Sequence, residues 1–96
     1  MNSKDRAYLR SLANTISPII QVGKIGVNDN LIKQVDDALE ARELIKINVL
    51  ETSPLEADEI AVQVAEKVNC TVVQVLGRKI TLYRKRVKDS KIGIDA

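Results

Sequence analysis

Ninety-six residues with 45% hydrophobic content make one domain with a modest core, and the absence of Phe and Trp leaves that core to aliphatic side chains. One cysteine, Cys70, and no histidine exclude an internal disulfide and a zinc site of the usual nitrogen–sulfur kind, and no apolar run approaches the roughly 20 residues of a membrane helix. The net charge of +2 divides into −6 over residues 28–69, with ten acids and four bases, and +8 over the remainder, with eleven bases and three acids; this is either ordinary solvated charge or a molecule with one basic and one acidic surface.

In chain order, the opening MNSKDRAYLR has no apolar stretch of signal-peptide type, so a reduced, cytoplasmic location is expected. Ser3 is placed to cap a helix that carries Ala7, Tyr8, Leu9 and Leu12 inward and Lys4, Arg6 and Arg10 outward. Pro18 closes the following connection, and Ile19-Ile20-Gln21-Val22 reads as a short strand stopped by Gly23. After Gly23-Lys24-Ile25-Gly26, Asn28 or Asp29 caps a second helix, whose buried face is set by Leu31, Val35, Ala38 and Leu39. Asp36, Asp37, Glu40 and Glu43 fall largely off that face. Ile45, Ile47 and Val49 alternate with Lys46 and Asn48, the period of a half-buried strand. Ser53-Pro54 with Glu56 predicts the start of a third helix, with Ile60, Ala61, Val64, Ala65 and Val68 inward and a left-handed end at Asn69. Thr71 to Leu76, a turn at Gly77-Arg78-Lys79, and Ile80 to Arg84 form a hairpin. Residues 1–84 form the domain, and residues 85–96 read as a basic, flexible tail.

The order α-β-α-β-α-β-β contains two strand–helix–strand crossovers, which imply parallel neighbours with right-handed connections. The polar alternates Lys46, Asn48 and Gln74 point to a sheet with one face partly open, hence an α/β fold of two layers. Such a face, with Lys46 on it and Arg78 nearby, suits a partner, although half-exposed sheets always carry polar alternates.

The Gly23-Lys24-Ile25-Gly26 loop lies between a strand and a helix. Glycines permit positive φ and close approach of another chain, and a helix N-terminus offers unpaired N–H groups and partial positive charge to a phosphate. Lys24 adds a full charge at the tip. The loop is neither a Walker loop, which needs G-K-[ST], nor a G-x-G-x-x-G dinucleotide fingerprint. K homology domains clamp a nucleic-acid backbone with a GXXG loop, but between two helices. A tight strand–helix turn with an exposed lysine is the plain alternative.

Three segments in order, the first containing that loop, change its weight. Gln21-Val22-Gly23-Lys24-Ile25-Gly26-Val27, Glu43-Leu44-Ile45-Lys46-Ile47 and Val73-Gln74-Val75-Leu76-Gly77-Arg78-Lys79, with Leu82-Tyr83-Arg84, resemble the CRM domain (chloroplast RNA splicing and ribosome maturation) in its stand-alone, YhbY-type prokaryotic form. The opening Lys4-Asp5-Arg6-Ala7-Tyr8-Leu9-Arg10-Ser11-Leu12-Ala13 resembles the family's first helix, so the likeness spans residues 2–84. It implies a two-layer α/β sandwich similar to the C-terminal domain of translation initiation factor three, with a four-stranded mixed sheet whose last strand is antiparallel to the others. It also implies RNA binding: stand-alone members are associated with precursors of the large ribosomal subunit, and plant relatives with group II intron splicing. Gly23, Lys24, Ile25 and Gly26 would be the RNA-contacting loop. Ile25 is bulkier than the small or polar residue expected there, and either touches a base or sugar or folds back onto the domain.

The sequence therefore reads as an RNA-binding protein, not an enzyme, needing no cofactor, monomeric by default, and acting on ribosomal RNA in large-subunit precursors. Beside the loop, Arg10, Arg78, Lys79 and Arg84 are expected phosphate contacts, with Lys46, Lys4 and Arg6 behind them. Two aromatics, Tyr8 and Tyr83, are too few for a stacking platform. The acids Asp36, Asp37, Glu40 and Glu43 lack a His, Cys or Ser partner in a catalytic pattern. They leave a second reading, an adaptor that meets a basic ribosomal protein through an acidic helical face. Cys70 reads as a small buried hydrophobe.

Overall fold

A computed structural model describes residues 2–86 and residue 92. Its elements are α1 (Ser3–Ala13), β1 (Ile20–Val22), α2 (Asp29–Arg42), β2 (Leu44–Val49), α3 (Ala57–Val68), β3 (Thr71–Leu76) and β4 (Lys79–Tyr83). This is the expected α-β-α-β-α-β-β order. Apart from Lys85, Arg86 and Ile92, the tail expected at 85–96 lies outside the described residues.

The sheet runs β1-β2-β4-β3, with β1 parallel to β2 and β4 antiparallel to both of its neighbours. The first crossover joins adjacent parallel strands. The second does not: β4 inserts between β2 and β3, which are parallel to each other but not paired. Hairpin closure at Gly77, whose φ is +60°, accounts for this, because glycine at the first central position allows the two-residue turn that returns β4 along β3.

Alternation assigns the faces. Ile45, Ile47 and Val49 join Ile20, Val22, Ile80 and Leu82 under α2 and α3, against Val35, Leu39, Ile60 and Val64, and most of these side chains are fully buried. Truncating one of them, such as Leu39→Ala, costs about 2–5 kcal/mol, a large share of a domain's roughly 5–15 kcal/mol. The opposite face holds a smaller cluster of Leu44, Val73 and Tyr83 with Leu9 and Ala13 of α1, and Ile92 packs against it. Helix α1 therefore covers one end of this face. The other end, with Lys46, Asn48 and Gln74, stays partly open.

Several local readings change. Asn2, not Ser3, caps α1 through its Oδ1, which accepts from the Asp5 N–H at 2.8 Å. Tyr8 and Ala7 face solvent, because α1 is turned to present Arg6, Leu9 and Ala13, positions related by three, four and seven residues. Helix α3 begins at Ala57 rather than Pro54: Ser53 closes a local turn, with its Oγ donating to the Leu55 carbonyl, and Pro54 packs under Gly26 instead of opening the helix. Glu43 is buried and ends α2 at φ +66°, fixed by its N–H to the Leu39 carbonyl (2.8 Å) and its own carbonyl accepting from the Arg84 N–H (2.9 Å). Asn28 caps α2, and Asn69 ends α3 in the left-handed region, both as read from sequence.

Candidate nucleic-acid interface

Strand β1 leaves the sheet at Val22, whose carbonyl accepts from the Leu50 N–H at 2.8 Å. The chain then reverses in a tight turn, with the Gly26 N–H donating to the Gly23 carbonyl at 3.0 Å. Only the second glycine uses its conformational freedom. Gly26 is buried at φ +74°, and a Cβ there would stand 3.0 Å from Pro54 Cγ. Gly23 has no such constraint, and a Cβ on it would make ordinary contacts with Leu50 and Thr52 at 3.5 Å.

The turn pushes Lys24 and Ile25 into solvent. Ile25 is 77% exposed, so it does not fold back onto the domain. Lys24 is exposed and forms no ion pair among the described residues, and its N–H and that of Ile25 form no hydrogen bond there. A full positive charge and two free N–H groups thus share one turn, which suits a phosphate. The N-terminus of α2 contributes less than its position promises. Asn28 takes the Leu31 N–H at 2.8 Å, and Asp29 in the first turn opposes an anion.

Register places the remaining basic residues. Arg78 sits in the hairpin turn, its carbonyl accepting from the Val49 N–H at 2.7 Å, so it lies at the same end of the sheet as the loop, roughly 10 Å away across two strand spacings. Its guanidinium makes an exposed ion pair with Glu51 at 3.2 Å, a contact worth little in water. Lys46 and Lys79 project on the open face, beside Thr81 and Asn48 in the β2–β4 ladder. Lys4 and Arg10 are exposed on α1, over the other end of that face.

Two expected contacts are committed elsewhere. Arg6 donates to the carbonyls of Val72 and Val73 at 2.8 and 2.7 Å, where a register shift in β3 leaves consecutive carbonyls at the sheet edge. Arg84 follows the end of β4, at the opposite end of β2 from the loop and roughly 17 Å from it by strand rise. It donates to the Val68 carbonyl at 2.8 Å and to Asp36 Oδ1 at 2.7 Å, and lies 3.6 Å from Glu40. These two arginines clamp elements together, and the structure does not bring Arg84 to the loop.

Sequence reading missed the neighbours of the turn. Gln21, Asn28, Asn30 and Gln34 line a groove of about 310 Å³ beside Lys24 and Ile25. The signal was present as amides one helical turn apart at 30 and 34, but solvated amides at that spacing are common.

Across residues 1–84 the sequence matches the model of the CRS1/YhbY (CRM) domain. The chain belongs to the CRM domain family. A probable RNA-binding protein of Bacillus subtilis, YqeI, is 41% identical over 92 residues, covering 96% of each chain. A probable RNA-binding protein of Methanocaldococcus jannaschii is 39% identical over 88 residues, covering 90% of this chain and 65% of the relative. The solution structure of a Staphylococcus aureus protein described as a candidate RNA binder superposes with a TM-score of 0.82 at 43% identity, over 99% of each chain.

Within this CRM domain, Cys70 packs at the edge of the main core, and burial pushes its thiol up to about 11, against an opposing pull from Arg84. A thiol held neutral is a poor nucleophile and a poor ligand. Among the described residues no group of three His, Cys, Asp or Glu side chains is placed to hold a metal, and no helix is long and apolar enough to cross a membrane.

Proposed function

We propose that this CRM protein binds RNA through the turn at Gly23–Gly26 and the open sheet face, and that its RNA is ribosomal RNA in precursors of the large ribosomal subunit. It acts there as an assembly or maturation factor, in the cytoplasm, as a monomer and without catalysis. The observation that carries the reading is the turn itself: a Lys24 with no ion pair and two N–H groups with no hydrogen bond among the described residues, held out by a buried, left-handed Gly26. Lys46, Lys79 and Arg78 extend the charge along the face, and Lys4 and Arg10 extend it over α1. Both named relatives are described as RNA-binding, which supports the class of ligand. The ribosomal target follows the association of stand-alone CRM proteins with large-subunit precursors.

Filter binding of Lys24→Glu against structured ribosomal RNA at several salt concentrations tests the loop. Affinity falls for every RNA tried, and the salt slope flattens by about one unit, because one phosphate contact is lost. Circular dichroism and melting temperature stay unchanged. Wild-type affinity in this variant removes the loop from the interface. Depletion in cells tests the target: incomplete large subunits accumulate, with the protein co-sedimenting, and a normal sedimentation profile rules out the assembly role.

A further inference from the structure

Three large apolar side chains stay exposed at the end of the sheet that carries the glycine turn: Ile25 at 77%, Leu50 at 36% and Leu76 at 70%. Single exposed aliphatic residues are ordinary, so their placement decides what they mean. Register puts Leu76 in one row across the sheet with Lys79, Asn48 and Gln21. Directly paired residues point to the same side, and Asn48 alternates with the core residues Ile47 and Val49, so this row lies on the open face. Leu50 extends β2 by one residue, its N–H donating to the Val22 carbonyl at 2.8 Å, and alternation sets it on the same face as Asn48. A Cβ on Gly23 would stand 3.5 Å from Leu50 Cδ1, so Leu50 borders the turn. The two leucines are roughly 10 Å apart across the sheet, with Lys79 on the strand between them. The charge around them has one sign. Neither this row nor the next, Gln74–Thr81–Lys46, holds an acid, and the nearby Glu51 is paired with Arg78 at 3.2 Å.

A basic surface alone suits any polyanion. Interleaving it with apolar side chains suits a nucleotide, whose phosphate is charged and whose base has an apolar face. A duplex presents the same phosphates but keeps its base faces stacked inside, so beside a duplex these side chains stay in water. An unpaired strand, with its bases splayed out, can cover them. We infer that Leu50 and Leu76, with Ile25 beside them, seat the faces of unpaired bases while Lys79 holds the phosphate between, so that this end of the open face selects single-stranded over paired RNA. Every base has such a face, so the selection is by strandedness and not by sequence. This rests on the RNA-binding reading above and adds the pairing state of the bound segment to it.

The test is filter binding of the full chain to two labelled RNAs with equal numbers of phosphates, an unstructured mixed-sequence strand and a fully paired hairpin, beside a ribosomal RNA fragment. The wild-type protein holds the single strand about tenfold more tightly than the hairpin. Leu76→Gln, at an exposed position, keeps the melting temperature and the salt slope. It loses about fivefold in affinity for the single strand, the scale of one partly covered leucine, and nothing for the hairpin. Leu76→Met, which keeps an apolar side chain, retains the preference. Equal affinity for the two RNAs, failure of the single strand to bind where the ribosomal fragment does, or a Leu76→Gln variant that binds the single strand as well as the parent overturns the apolar seat and leaves RNA binding intact. Absence of binding to all three RNAs overturns the RNA-binding reading, and the seat with it.

Discussion

Gly23 and Gly26 hold the two ends of one turn, yet a methyl group would act differently at each. At Gly26 an alanine must adopt φ near +74° and displace the Pro54 ring, so Gly26→Ala is expected to cost at least about 1–2 kcal/mol. A lowered denaturation midpoint in urea checks this. Gly23→Ala meets only ordinary contacts, so stability should shift by no more than about 0.5 kcal/mol. The added methyl obstructs close approach of an RNA backbone, so RNA affinity should fall in a protein as stable as the parent. Equal stability losses in the two variants would contradict the distinction. Cys70 gives a second check at this scale. With its thiol pushed from 9.0 to about 11, the folded protein keeps the proton until pH climbs well above neutral. At pH 8, alkylation by iodoacetamide should run about 100-fold slower than in urea-unfolded protein, since thiolate is the reacting species. The lone cysteine read as a small hydrophobe fits this behaviour. The roles of the two glycines were not separable in sequence, because the difference depends on Pro54, distant in the chain.

The first helix shows what an element's sequence conveys and what it withholds. Its existence and its buried Leu9 were legible from the spacing of apolar residues. Its rotation was not, because Arg6 decides it by filling the carbonyls freed at the β3 register shift, and no local pattern announces a bulge in a strand 66 residues away. Arg84 is a parallel case: a basic residue after a hairpin reads as a surface contact, and the carbonyl of Val68 and the acids of α2 claim it instead. The consequence is measurable. Arg6→Ala removes a charged donor from two carbonyls and should lower stability by about 1.5–3 kcal/mol. Arg10→Ala, on the exposed side of the same helix, should leave stability unchanged and weaken RNA binding. Thermal melts and filter binding on the pair separate scaffold from interface. A stable Arg6→Ala variant with reduced affinity would return Arg6 to the binding surface. The start of α3 was misread for a related reason, since Ser53-Pro54 has the composition of a helix start while Pro54 serves as the floor of the glycine turn.

At the level of the whole molecule, the charge division of the sequence becomes a division between faces. Exposed Asp37, Asp58, Glu59 and Glu66 lie on α2 and α3, while Lys46 and Lys79 lie on the opposite face of the sheet, with Lys4 and Arg10 on the helix that covers it. The strand period made this legible, because it told which side Lys46 takes, whereas the order of strands depended on where the hairpin inserts. The layer thickness fixes how strongly the acidic face is felt. A helix with its side chains is about 10–12 Å across, and packed on a sheet it sets its outer face roughly 20 Å from the sheet's far face. That distance is inside the Debye length of roughly 30 Å at 0.01 M salt and well beyond the roughly 8 Å at 0.15 M. Removing three negative charges in an Asp58→Asn/Glu59→Gln/Glu66→Gln variant should therefore raise RNA affinity about two- to threefold at 0.01 M and leave it unchanged at 0.15 M. Filter binding at the two salts reads this directly. A gain that persists at 0.15 M would put α3 in contact with the RNA, and no gain at 0.01 M would mean that the acidic face does not act on the RNA through its field.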